Sequence, residues 1–226
     1  PKIDNDPSIL EYWIMGHYAG ALQALGRRVE ASYLYALVFE NSVGKRESAL
    51  QSFSLSSEAE WKACLLYCQT DEERATLHAL RAYGKGAKAL EDMQAIYALD
   101  ADSKHLDVLL IKEMKRLEQH LLGLPFNTRK RQNKQFYDVP RPGMGRYVIE
   151  FQDFVRRHNQ SSPTYNRVLW TMAEGYLEAI AGDYYAAQKI LAQAAELKMS
   201  EKMREQLAAL QLVAQVAAYQ TVSEEV

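Results

Sequence analysis

Proline and glycine are scarce in this chain, cysteine is scarcer still, and no apolar run approaches the length of a membrane span. Each shortage removes a class of protein. Six prolines and eleven glycines in 226 residues leave few obligatory breaks, and abundant alanine and leucine favour helix almost throughout. The two cysteines, Cys64 and Cys68, cannot build a disulfide framework, so the redox compartment stays open. A membrane helix needs about 18 or more consecutive apolar residues, and the sequence has no such run. The opening Pro1-Lys2-Ile3-Asp4-Asn5-Asp6-Pro7 is acidic and turn-like, unlike a secretory signal. It starts without Met, which leads us to expect a processed or excised part of a larger, bacterial polypeptide that is soluble but of unassigned compartment. Charge of one sign is also missing. With 27 basic and 29 acidic side chains, the net charge of −2 fits an ordinary globular chain rather than a disordered or nucleic-acid-saturated one.

The signatures of common chemistry are absent as well. The sequence holds no dinucleotide fingerprint, nucleophile elbow or zinc-protease motif. Gly84-Lys85-Gly86 lacks the leading Gly and the following Ser/Thr of a phosphate loop, and it lies between two helical runs. Cys64 and Cys68 stand four apart on a predicted helix. With His78 they give at most three zinc ligands, and a structural site needs four. Buried core thiols are the better reading, and we expect no metal, cofactor or catalysis.

What the chain does contain is helical period. From Ile9 to Leu25, apolar residues recur at Ile9, Tyr12, Trp13, Tyr18, Leu22 and Leu25 before Gly26 ends the run. A second helix follows from Arg27 to about Phe39. Ser57 with Glu60 and Thr70 with Glu73 form capping boxes, which satisfy the free amides of a helix start. Asp6-Pro7 and Ser162-Pro163 each offer a cap followed by Pro, and Ser103 precedes an amphipathic run that stops at Gly123.

Gly182-Asp183-Tyr184-Tyr185-Ala186-Ala187 joins two such runs near the C-terminus. A Gly–Asp turn with a small residue five after the Gly marks a tight helical hairpin. The relation recurs at Gly26 and Ala31, and at Gly84 and Ala89. Nine and twelve after each Gly stand Tyr35 and Val38, Met93 and Ile96, and Leu191 and Ala194. Seven before, where a small residue is expected, stand Ala19, Leu77 and Gly175. On these positions the chain resembles tetratricopeptide-repeat proteins in a degenerate form, most clearly over about 160–200. The three glycines are 58 and 98 residues apart, not multiples of the 34-residue repeat. Irregularly joined hairpins are therefore expected, not an in-register array.

The resemblance implies an all-α fold of about ten or eleven helices, stacked as antiparallel hairpins. It also implies a non-enzymatic scaffold that presents a groove to a protein or peptide partner. We expect a hairpin array over 7–123, a long connection over 124–145, and further repeat-like helices over 146–222. Fourteen tyrosines against six phenylalanines supply amphipathic contact area. Tyr18, Tyr83 and Tyr176 fall on the first helices of pairs, the helices that line the concave side of such repeats.

The connection is rich in Pro and Gly and carries Arg129, Lys130, Arg131, Lys134, Arg141 and Arg146 against Asp138, a local charge near +5. Phe126, Phe136 and Tyr137 interleave with the basic residues. Such a stretch can hold an anion or a nucleic-acid backbone, or an acidic protein. Nucleic acid is disfavoured because the rest of the chain supplies no basic excess. A small-ligand or catalytic pocket between helices is the remaining alternative.

Overall fold

In the computed structural model the described residues are 9–84, 89–121, 144–161 and 166–219. Among them the chain forms eleven α-helices, and it divides into two compact units, residues 1–105 and 106–226. The first unit holds α1 (Ile9–Ala24), α2 (Arg28–Asn41), α3 (Arg46–Ser52), α4 (Glu58–Leu65), α5 (Asp71–Tyr83) and α6 (Ala89–Leu99). Helix α7 (Lys104–Leu121) starts in the first unit and runs into the second. There it is followed by α8 (Met144–Ser161), α9 (Arg167–Ala181), α10 (Tyr184–Ala195) and α11 (Glu201–Ala217).

Three hairpins organise these units: α1 with α2, α5 with α6, and α9 with α10. Two of them are closed by glycine. Gly26 and Gly182 have φ of +78° and +90°, in the left-handed region that an L side chain enters only with strain. Each glycine N–H bonds three residues back. The next residue's N–H bonds five back, Arg27 to Leu22 and Asp183 to Glu178, both at 2.9 Å. This paired closure satisfies the last carbonyls of the helix. Asp183 then starts α10, its Oδ1 accepting from the Ala186 N–H at 2.9 Å. Gly84 behaves differently: with φ −66° and ψ 168° it is extended, so it does not close α5 with a left-handed residue.

The packing positions follow the sequence spacing. Ala31, Tyr35 and Val38 are buried in the first unit's core, and Ala187, Leu191 and Ala194 in the second's. Leu77 on α5 is buried in the first unit's core, and Met93 and Ile96 on α6 are fully buried. Gly175 is small because α10 demands it: a Cβ there would meet Leu191 Cγ at 2.8 Å. Each fully buried leucine contributes about 1.5–3 kcal/mol relative to exposure.

The capping residues act as expected. Ser57 and Thr70 accept from the Glu60 and Glu73 N–H groups. The two carboxylates reach one residue further back than the usual box, to the N–H groups of Ser56 and Gln69. The Asp6-Pro7 and Ser162-Pro163 starts, and the Lys85–Gly86 turn, lie outside the described residues. No helix among those described is long and apolar enough to cross a membrane.

Candidate partner-binding groove

The second unit carries an open groove of about 400 Å³ walled by three alternate helices. Helix α7 supplies Leu110, Ile111, Met114, Lys115 and Glu118; α9 supplies Leu169, Met172, Ala173 and Tyr176; α11 supplies Gln206 and Leu210. Its floor is apolar because these helices turn one side into the core and leave the neighbouring positions at the edge of it. Leu110, Met114 and Met172 are themselves buried. Two methionines give that floor an unbranched, adaptable surface.

Polar contacts set the register of the walls. Trp170 Nε1 and Asn166 Nδ2 donate to the two oxygens of Asp107 at 2.7 and 2.9 Å. About one groove-length on, the Tyr176 hydroxyl donates to Glu118 Oε1 at 2.8 Å. Helices α7 and α9 therefore run in the same direction, with Lys115 and the Glu118–Tyr176 pair at one end. Burial, and then the Glu118 carboxylate, push the Tyr176 phenol well above its ordinary range. The hydroxyl thus stays a fixed donor, and the ring is held as a wall.

Helices α9 and α11 begin at Arg167 and Glu201, 34 residues apart. At that offset Met172 matches Gln206 and Tyr176 matches Leu210, and all four line the groove. Equivalent positions of these two alternate helices thus line one groove. Among the residues expected to bind a partner, Tyr176 sits in this groove. Tyr18 lies exposed on α1. Tyr83 ends α5 with its ring tilted against Phe39 at 5.9 Å, and burial pushes its phenol up to about 12. Arg129, Lys130, Arg131 and Lys134 lie outside the described residues. Arg146, at the end of the basic stretch, pairs with Glu150 at 2.8 Å on the exposed side of α8.

The sequence reading missed α7 and α11 as walls. For α11 the signal was present as the 34-residue offset, but Val216 stands where the matching glycine would be. Without that glycine the helix simply continues to Ala217.

The first unit has a smaller polar cleft of about 220 Å³ between α2 and α5, lined in part by Tyr33, Glu40, Glu72, Glu73 and Thr76. Two of its carboxylates already have partners within the fold. Glu40 takes Lys104, His105 and Thr76, and Glu73 takes Tyr33 and the Gln69 N–H. Cys64 and Cys68 are buried, which pushes their thiols up to about 12 and 11. The His78 ring sits on Asp92, and no group of His, Cys, Asp and Glu among the described residues could hold a metal ion.

Fold and groove together define a protein of stacked helical hairpins. No protein-family model, no curated protein and no solved structure matches the chain.

Proposed function

We propose that this chain is a tetratricopeptide-type scaffold module, and that its α7–α9–α11 groove takes up an apolar peptide segment of another protein without performing chemistry on it. The observation that carries this reading is the groove itself: alternate helices, related positions 34 residues apart on two of them, and an apolar floor with polar groups at one end. Concave faces built from the first helix of each pair are the usual binding surfaces of such repeats. An amphipathic segment anchored by a few side chains is the kind of ligand an apolar groove admits. Lys115, Gln206 and the free lone pairs of Glu118 stand at the wall to meet the backbone or polar residues of that segment.

Selection of random peptides on the immobilised protein, followed by fluorescence anisotropy on the enriched sequences, tests this. Enriched peptides should share apolar anchors. Ile111→Glu, a change at an already exposed wall position, should weaken them about tenfold or more by placing a charge against those anchors. If no peptide is enriched, or if the change leaves affinity intact, the groove is not the binding site.

A further inference from the structure

Helices α1, α2 and α3 border a cleft of about 140 Å³ in the first unit. Its floor is apolar, because Tyr35 and Val38 of α2 and Ala49 of α3 are buried there. Tyr12 and Trp13 stand on the α1 side. Gly16, one turn further on, leaves that side open: a Cβ there would meet no atom within 4 Å. Toward the C-terminal end of α1 the walls are tied by polar contacts. The Tyr35 hydroxyl donates to Gln23 Oε1 at 3.3 Å, and Gln23 Nε2 donates to the Ser52 carbonyl oxygen at 3.5 Å. Toward the other end the Lys45 ammonium lies 4.4 Å from the centre of the Trp13 ring. The lining thus contains a cation and no acid. Lys45 makes no ion pair among the described residues. Resting on the ring face, its ammonium is partly positioned before any ligand arrives, so less side-chain freedom is lost on binding. The His17 ring and the Tyr12 and Ser52 hydroxyls make no hydrogen bond among the described residues either. Polar groups with unspent hydrogen bonds, converging over an apolar floor, are what a small-ligand site requires.

We propose that this cleft binds a single aromatic ring bearing a carboxylate, with the ring against Tyr12 and Trp13 and the carboxylate on Lys45. Volume sets the size of the ligand, since a cavity of about 150 Å³ takes up one benzene ring. The walls set its character: the Tyr12 and Trp13 rings offer a planar ligand the offset or edge contacts that aromatic groups prefer. Charge sets its head group. One ammonium neutralises a monoanion and makes a charge-assisted hydrogen bond to it, but would leave a phosphate dianion half compensated. The ring-and-carboxylate unit occurs both in small free acids and in the C-terminal phenylalanine of a peptide. The site lies in the other unit from the α7–α9–α11 groove, so it stands whether or not that groove takes a peptide.

Fluorine NMR of the protein labelled with 5-fluorotryptophan tests the site. The chain has three tryptophans; Trp13 is 42% exposed, whereas Trp61 and Trp170 are buried. Benzoate should move the Trp13 resonance saturably and leave the other two in place. A ligand of about ten non-hydrogen atoms in a half-open cleft gives a Kd on the order of 0.1–1 mM. Benzamide and benzylamine, which keep the ring and lose the negative charge, should bind about tenfold more weakly or worse. Lys45→Met keeps an unbranched stem near Trp13 and should weaken benzoate about tenfold. Gly16→Leu should fill the cleft and abolish the shift, with thermal unfolding within a few degrees because the added Cβ displaces nothing. A tetrapeptide ending in phenylalanine separates the two sources. Tighter binding than benzoate, lost when its C-terminus is amidated, assigns the site to a chain end, and weaker binding than benzoate assigns it to a free acid. No saturable Trp13 shift by about 10 mM with either ligand overturns the proposal. Equal binding of benzamide, or benzoate affinity unchanged in Lys45→Met, overturns it as well.

Discussion

A methyl group added to Gly175 would lie 2.8 Å from Leu191 Cγ and 3.3 Å from the Leu191 backbone nitrogen, inside the closest approach of α9 and α10. A methyl group added to Gly16 on α1 would meet nothing within 4 Å. The same substitution therefore has opposite signs at the two positions. In Gly16→Ala only the helix propensity changes, and stability should rise by about 0.5–1 kcal/mol. In Gly175→Ala that gain is outweighed by overpacking of about 1–3 kcal/mol, because backbone cannot yield as a flexible side chain can. Urea unfolding of both variants reads the difference directly. Equal shifts would mean that α9 and α10 are not held at this distance. Glu40 gives a second residue-scale expectation. Burial alone would raise its carboxyl, but bonds from His105 and Lys104 outweigh burial and hold it at about 2, below the ordinary value of 4.5. A carboxyl lowered on folding contributes stability that is full above the unfolded value and is lost as pH falls from there toward 2. That contribution is about 2 kcal/mol after allowance for solvent screening. Unfolding free energies of the parent and Glu40→Gln should therefore differ at pH 6 and converge by about pH 2; a gap independent of pH would show that the ion pair does not lower the carboxyl.

At the scale of elements, what could be read from the sequence was what local chemistry decides. Gly182 and Asp183 announce the end of one helix and the start of the next, and the structure uses them so: a left-handed glycine closing α9 and a carboxylate capping α10. Gly26 does the same for α1 without a side-chain cap to follow. The helix spans from periodicity also hold closely, Ile9–Leu25 against Ile9–Ala24 and Arg27–Phe39 against Arg28–Asn41. The spacing rule failed where the backbone could take another route. Gly84 stands at the matching position yet is extended, because a glycine permits the left-handed region without requiring it. The groove was legible only through Tyr176. Its other walls depend on which helices become neighbours, and that is settled by the fit of distant apolar faces such as those of α7 and α11, not by any local signal. The tyrosines show the same limit. Tyr83 and Tyr176 each sit on the first helix of a hairpin, and tertiary packing sent one against Phe39 and the other to a groove wall.

For the molecule as a whole, the distribution of charge separates the two ways it could engage a partner. The net charge is −2, yet residues 129–146 hold six basic side chains against one acid, which leaves the rest of the chain near −7. Binding through that basic stretch would release counterions from an anionic partner. Several phosphate contacts would then lose about 10³-fold or more in affinity between 50 and 200 mM salt. Under the proposed function, the α7–α9–α11 groove would meet a ligand through the accessible part of its apolar lining, Ile111, Leu169, Tyr176 and Leu210, with Lys115 and Glu118 of opposite sign at one end. Apolar burial does not weaken with added salt, and the two opposite charges leave little net field to be screened. A groove-selected peptide should therefore change its Kd by less than about threefold over that salt range, with Ile111→Glu abolishing most of the binding at every salt concentration. Affinity that collapses with salt and survives Ile111→Glu, but falls when Arg129, Lys130 and Arg131 become Ala, would move the binding site from the groove to the basic stretch. The salt slope and the two sets of substitutions thus point to different surfaces, so a single titration series decides between an apolar peptide and an anion as the ligand.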